Sequence, residues 1–188
     1  MNQLKTKLLP VKKMIAAVFI IAVFSLFLLP GKAVALNGGV GAGVFVPGSD
    51  MSQSFDPGYN IYAYMNFNVV PSLVDFRVQV DYYNATGRNN DVNYKFNATG
   101  GEALVVLAPS LVPILKPYVG AGWGVYNSTL EVGSRSESKW GNGFVGVAGV
   151  GVEVLILRIG LDGKYFINNV SGDNYGGYSA GLSASIAF

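Results

Sequence analysis

The end of the chain alternates between apolar and small polar positions. One register, from Tyr178 to Phe188, is apolar with an aromatic residue at each end, whereas the other holds only glycine, serine and alanine. A period of two residues is that of a β-strand, whose side chains alternate between faces. Ten residues of strand measure about 33 Å, which at a tilt of about 40° spans the roughly 25 Å apolar band of an outer-membrane barrel. The pattern predicts a last strand with an apolar exterior and a small interior.

The same alternation recurs upstream and predicts eight strands in all. The predicted strands are Val40 to Val46, Tyr59 to Val69, Leu73 to Asn84, Glu102 to Leu111, Ile114 to Tyr126, Asn142 to Val154, Leu157 to Ile167 and Asn174 to Phe188. The register of the fourth cannot be read, because Ala103 to Ala108 is continuously apolar. Pro109 there requires a bulge or a local loss of pairing.

The connections between these strands alternate in length. Four are long and polar: Pro47 to Gly58, Thr86 to Gly101, Asn127 to Gly141 and Asn168 to Gly176. Three are short, near Pro71, Pro113 and Leu155, and the last lacks any usual turn residue. Long outer loops, short inner turns and an even strand number, with both termini in the periplasm, are typical of an outer-membrane barrel. We therefore expect an all-β, eight-stranded, antiparallel up-and-down transmembrane β-barrel.

The start of the chain predicts an export signal. Lys5, Lys7, Lys12 and Lys13 precede an uncharged apolar run, and Ala33 and Ala35 form a small-x-small cleavage pattern. We expect cleavage after Ala35, which leaves residues 36–188 as the barrel domain. An uncleaved membrane anchor is the alternative, although the apolar run is short for a span.

Composition narrows the chemistry. The chain has no cysteine, so we expect no disulfide and no thiolate metal site. Five of its thirteen lysines and arginines precede residue 36 while all eleven acids follow it, so the remaining chain is net negative and gives no argument for nucleic-acid binding. Histidine, the usual base of acyl-ester and peptide cleavage, is absent. We expect no enzymatic activity and no cofactor or metal, with a carboxylate-only mechanism left open.

Alternation places charged side chains inside the predicted barrel. They are Asp75, Arg77, Asp81, Glu153, Arg158, Asp162 and Lys164. A barrel of eight strands is just wide enough for side chains to fill it, and an unpaired charge in such a site costs several kcal/mol. We expect these charges to pair as a polar plug. A selective pore or a proton path is the alternative.

Two other patterns are assigned to the barrel wall. An aromatic girdle at the membrane interface is predicted from Tyr59, Tyr82, Trp123, Tyr165 and Tyr178, with Tyr126 and Trp140 in the same belt. The glycine patterns Gly39 to Gly43 and Gly120 to Gly124 lie within strands and precede no helix, so they are not phosphate-binding loops.

Three stretches carry a resemblance to a known family. They are Lys116 to Tyr126, the glycine-rich strand Gly143 to Glu153 followed by the Arg158 strand, and the terminal Phe188. The chain resembles the small eight-stranded outer-membrane barrels of Gram-negative bacteria, the OmpX-, OmpW- and opacity-protein-like group. The resemblance implies that Phe188 and Ile186 are an assembly signal for the barrel-assembly machinery and periplasmic chaperones. It implies no catalytic residue.

Three functions are consistent with these sequence features. The first is a non-enzymatic, monomeric outer-membrane protein with a structural or envelope role, whose partner is membrane lipid. The second is a narrow channel for small hydrophobic molecules, with a lateral gap at Pro47 or Pro109. The third is an adhesion or interaction barrel that acts through its outer loops, whose charges are mixed in sign.

Overall fold

The computed structural model describes residues 36–48, 51–89, 92–109, 114–170 and 173–187. They form ten strands: β1 (Leu36–Pro47), β2 (Gly58–Val70), β3 (Val74–Asn89), β4 (Val92–Leu107), β5 (Leu115–Val132), β6 (Arg135–Val154), β7 (Leu157–Phe166), β8 (Asn169–Val170), β9 (Asp173–Asn174) and β10 (Gly177–Ala187). Within these ranges no helix is long and apolar enough to cross a membrane. The predicted signal segment, the turn at Pro113 and the terminal Phe188 lie outside the described residues.

Eight of the strands close an antiparallel ring. Each of β1 to β6 pairs with the next strand, β7 pairs with β10, and β10 returns to β1 along Asn37 to Pro47. The short strands β8 and β9 form a separate hairpin that joins β6 at Asn142. The predicted eight-stranded up-and-down barrel is confirmed.

The pairing register sets the tilt of the strands. Passing from Leu36 of β1 through the paired residue of each strand in turn leads to Tyr178 of β10 and then to Val46 of β1. The circuit thus returns ten residues further along the same strand. With eight strands about 4.8 Å apart, this stagger gives a tilt of about 40° and a backbone radius of about 8 Å. Side chains alone can fill a cylinder of that width.

The exterior is apolar and the interior is polar. Leu161 and Leu182 are 58% and 64% exposed on the outside, whereas Gln79 and Asp81 are each 1% exposed on the inside. This is the reverse of a soluble barrel and matches the arrangement expected in lipid.

Two of the four predicted long loops are wrong. Most of Thr86 to Gly101 and of Asn127 to Gly141 belongs to strands, because β3, β4, β5 and β6 run on as two long hairpins. The second hairpin closes through Gly133, whose φ of 59° suits glycine. These segments lie beyond the apolar band, where neither face needs to be hydrophobic, so the ladder continues after the sequence pattern ends.

We call the end with these projections the hairpin end and the opposite end the turn end.

The fourth strand starts at Val92, ten residues before its predicted start, and stops at Leu107, so Pro109 lies just after it. Leu104 faces inward and Val105 outward, which settles the register that the sequence left open.

The apolar turn at the turn end has an unusual backbone. Val154 pairs with Leu157, which leaves Leu155 and Ile156 as a two-residue hairpin loop. Leu155 has a φ of 59° and is 92% exposed. Two-residue hairpin loops require positive φ, which glycine and asparagine adopt most easily. The loop therefore closes in the ordinary way but with a residue that seldom takes this conformation.

Two adjacent glycines of β4 allow a direct test of interior packing. A Cβ atom at Gly100 would lie 2.1 Å from the ring of Tyr126, whereas one at Gly101 has nothing within 4 Å. We expect Gly100→Ala to lower the free energy of unfolding by about 1–3 kcal/mol, because the buried ring has no room to move. Urea unfolding in lipid vesicles measures this. Gly101→Ala is the control and should change stability by less than about 0.5 kcal/mol; equal effects would contradict the packing.

Candidate functional site

Four aromatic rings close the interior at the hairpin end. Phe45, Tyr83, Tyr126 and Phe166 come from β1, β3, β5 and β7, the four strands that run toward this end, and each is 0% exposed. The rings of Tyr83 and Phe166 stack with centroids 4.2 Å apart, and Phe45 and Tyr126 lie 5.7 and 5.2 Å from Phe166. We call these four residues the aromatic cap. It fills the cross-section of the barrel with apolar rings.

The connections of the hairpin end cover the cap from outside. Phe96 of β4 lies 6.3 Å from Phe45 and stacks with Tyr175, again at 6.3 Å. Phe55 packs edge-on against Phe96, and Met51 is buried in the same cluster. The barrel is therefore covered by a second apolar layer above the cap.

Three charged side chains meet directly below the cap. Lys164 Nζ lies 2.5 Å from Asp81 Oδ1 and 3.0 Å from Glu102 Oε2, and the three side chains are at most 6% exposed. Tyr126 of the cap donates to Glu102 Oε1 at 2.7 Å, and Tyr83 donates to Asp81 Oδ1 at 3.3 Å. We call Asp81, Glu102 and Lys164 the buried ion cluster. One cation thus neutralises one of two buried carboxylates, and the cap's hydroxyls solvate both.

Arg77 forms the next layer toward the turn end. Its Nε donates to Asn66 Oδ1 at 2.8 Å. The guanidinium lies 4.4 and 4.9 Å from the ring centroids of Tyr64 and Tyr118. Arg77 is 4% exposed, so these cation–π contacts are desolvated and worth up to about 2 kcal/mol.

The remaining predicted charges lie closer to the turn end than the buried ion cluster does. Asp162 accepts a hydrogen bond from the Tyr62 hydroxyl. Arg158 pairs with Glu153 at 2.9 Å. Asp75 accepts from the Asn68 amide at 3.1 Å.

A cavity of about 190 Å³ opens around Asp75, Glu153 and Arg158 at the turn end. Its other walls include Asn66 and Lys116. The interior is therefore open at this end and closed by packed side chains at the cap.

The predicted interior residues thus form separate groups, at different levels of the barrel, instead of one network. Glu102 was not predicted as an interior charge, because the apolar run after it hid the register of β4. Tyr126 is part of the aromatic cap, so its assignment to the girdle is wrong. The alternation of Val125, Tyr126 and Asn127 already indicated its inward direction.

The remaining girdle residues lie on the outside. Tyr59, Trp123 and Tyr178 are 49%, 55% and 59% exposed. The rings of Tyr59 and Tyr82 are 6.1 Å apart, and those of Tyr165 and Tyr178 are 4.8 Å apart. Trp140, predicted for the same belt, is 60% exposed on the projecting part of β6. Ile186 is exposed on the outer face, where β10 pairs it with Leu157.

A family model describes this architecture. The model of the outer membrane protein beta-barrel domain matches residues 19–188. The chain belongs to this family. This outer-membrane barrel is accordingly a protein of the bacterial outer membrane, with its hairpin end extracellular and its turn end periplasmic.

Solved structures share the fold of this outer-membrane barrel. Neisserial surface protein A has a TM-score of 0.62 at 15% identity, over 84% of this chain and 99% of that one. Ail, the attachment invasion locus protein of Yersinia pestis, has 0.50 at 12%, over 82% and 100%. The outer membrane enzyme PagL has 0.51 at 19%, over 79% and 98%. No curated protein matches the sequence. At these identities the likeness shows the fold and not the role.

The buried ion cluster should be essential for stability. We expect Lys164→Met to lower the free energy of unfolding by about 3–5 kcal/mol, because it leaves two buried carboxylates without a cation. Urea unfolding of the refolded barrel in vesicles measures the change.

An exposed lysine is the matched control for that substitution. Lys95 lies 3.8 Å from Glu131 in the extracellular hairpins, where both side chains are more than a third exposed. Lys95→Met should cost less than about 1 kcal/mol. A Lys164→Met protein as stable as Lys95→Met would contradict the cluster.

Proposed function

We propose that this outer-membrane barrel is a non-enzymatic structural component of the cell envelope with a solid interior. The observation that carries the proposal is the aromatic cap on the buried ion cluster, which fills the barrel across its width. A rigid filled barrel suits a wall protein that presents its extracellular hairpins and stabilises the surrounding lipid.

The state of the interior carboxylates supports the absence of catalysis. Asp81 and Glu102 are held by Lys164, Asp162 by Tyr62, and Glu153 by Arg158. A general base or nucleophile needs a lone pair that reaches a substrate. Asp81 and Glu102 lie instead beneath four apolar rings, and Asp75, Glu153 and Asp162 each accept a hydrogen bond from a neighbouring side chain.

The pairing around the barrel disfavours the hydrophobic-channel alternative. The β1–β10 ladder is continuous from Asn37 to Pro47, and Pro47 pairs with Gly177 at its end. Pro109 lies beyond the end of β4, so it interrupts no ladder. A lateral exit at Pro47 would have to break the seam that closes the barrel.

The other untested expectations extend the same proposal. We infer that residues 1–35 are removed on export, that the barrel is monomeric in lipid, and that the assembly machinery and periplasmic chaperones read the last strand through Phe188 and Ile186. The outward, lipid-facing position of Ile186 supports its part in such a signal.

Removing the Arg77 side chain tests the solid interior. Arg77→Ala should lower the free energy of unfolding by about 2 kcal/mol, because Asn66, Tyr64 and Tyr118 lose their common partner. It should leave planar bilayers without steady conductance, since the cap and the ion cluster remain. Single-channel recording beside the wild type measures this, and a large conductance of either protein would overturn the proposal.

A second function is favoured by the extracellular hairpins. Among the described residues, the segment from Arg135 to Trp140 of β6 pairs only with β5, so its outer edge is open. The edge of β3 is covered instead, since Asp56 N donates to Thr86 O at 2.8 Å. An open strand edge is a template for an extended segment of another protein. We propose that this edge binds such a partner.

The charges along this edge define a peptide to test it. Arg135, Glu137 and Lys139 alternate in sign at every second position of β6, and Lys139 Nζ lies 3.1 Å from Glu137 Oε1. A short peptide with an acid, a base and an acid at every second position places opposite charges beside them in either direction. We expect the peptide to slow amide hydrogen exchange of residues 135–140 in nanodiscs. A peptide with the same side chains and an N-methylated backbone is the control. Equal protection by both peptides, or by neither, would contradict strand addition.

A further inference from the structure

A small cavity lies in the interior between the buried ion cluster and Arg77. Its volume is about 10 Å³, and its walls include Asn60, Gln79, Asp162 and Lys164. That volume is about the least that holds one water molecule. The cavity shares no lining residue with the opening at the periplasmic end.

The polar atoms around this cavity are incompletely bonded by protein. Within the described ranges, neither side-chain atom of Asn60 has a hydrogen-bond partner, although the residue is only 1% exposed. The same holds for Gln79 Oε1 and Asp162 Oδ1. A buried polar group without a partner costs about 1–3 kcal/mol, so several such groups at one cavity point to a ligand.

The orientation of Gln79 is fixed by its neighbour. Its Nε2 donates to both carboxylate oxygens of Asp81, at 3.2 and 3.1 Å. The amide oxygen Oε1 is therefore the atom of this side chain that lacks a hydrogen-bond partner. Asp162 likewise uses Oδ2 for the Tyr62 hydroxyl and leaves Oδ1 over.

These atoms specify the chemistry of the ligand. A ligand that donates to Gln79 Oε1 and to Asp162 Oδ1 and accepts from Asn60 Nδ2 satisfies three of these four atoms. An alkali cation cannot accept a hydrogen bond, and a simple anion can neither donate nor approach a carboxylate without repulsion. Water does both and has the right size. We propose that the cavity is a binding site for one structural water molecule that bridges Asn60, Gln79 and Asp162.

The water adds a hydrogen-bonded link between two groups that the protein itself joins through a cation–π contact, with Lys164 Nζ 5.4 Å from the ring centroid of Tyr62. Gln79 connects it to Asp81 and so to the buried ion cluster, while Asp162 connects it to Tyr62. The polar interior becomes one hydrogen-bonded unit from the ion cluster to the Tyr62–Asp162 pair. The water site does not depend on whether the barrel conducts or binds a partner.

The direction in which one substitution shifts the urea midpoint of unfolding distinguishes a hydrated cavity from a dry one. Asn60→Leu replaces the amide by an apolar group of similar shape. With the water in place, the change removes one of its partners and should lower the urea midpoint of unfolding. If the cavity is dry, the change removes an unsatisfied amide and should raise the midpoint. A raised or unchanged midpoint overturns the proposal.

A measurement on the wild-type protein keeps the test independent of how the variant folds. The side-chain amide protons of Asn60 should show NMR cross-peaks to a long-lived water in the refolded barrel, and the absence of such cross-peaks overturns the proposal. Replacing sodium by choline should leave the urea midpoint unchanged. A loss of stability in choline would assign the cavity to a cation and overturn the water site.

Discussion

The stagger of ten residues around eight strands is the constraint on which the rest of the structure depends. It fixes a backbone cylinder of about 8 Å radius, and side chains must fill that cylinder. The size of every inward side chain is therefore limited by this volume, whether the residue is polar or apolar. The many inward glycines leave space for larger neighbouring side chains. At Gly100, for example, the ring of Tyr126 occupies the space that a side chain would fill.

The same narrow cylinder explains how charges are tolerated inside it. Asp81, Glu102 and Lys164 lie where water is largely excluded, so the phenolic hydroxyls of Tyr83 and Tyr126 replace it as hydrogen-bond donors. Arg77 uses ring faces and an amide for the same purpose. Each charge is stabilised by a partner that is itself held by the packed wall, so the electrostatics depend on the packing and the packing on the stagger.

Local alternation in the sequence was enough to predict the strand order, the apolar exterior and the inward direction of Asp81 and Lys164. Features that depend on the register between distant strands were missed. The extensions of β3 to β6 were missed because strands that leave the apolar band lose their hydrophobic face. Glu102 was missed because Leu104 and Val106 are apolar and inward, against the pattern elsewhere. The aromatic cap was missed because its members lie on four non-adjacent strands, and only the stagger brings them to one level.

Because the aromatic cap lies near one end, the two ends of the barrel interior differ in their access to solvent. The described interior is blocked toward the extracellular space and opens to the periplasm through the cavity at Asp75, Glu153 and Arg158. As far as the structure describes it, the barrel interior is thus open at the periplasmic end only. Within the described residues, the Glu153–Arg158 pair therefore faces the cavity at the periplasmic end, so the ions around it are those of the periplasm.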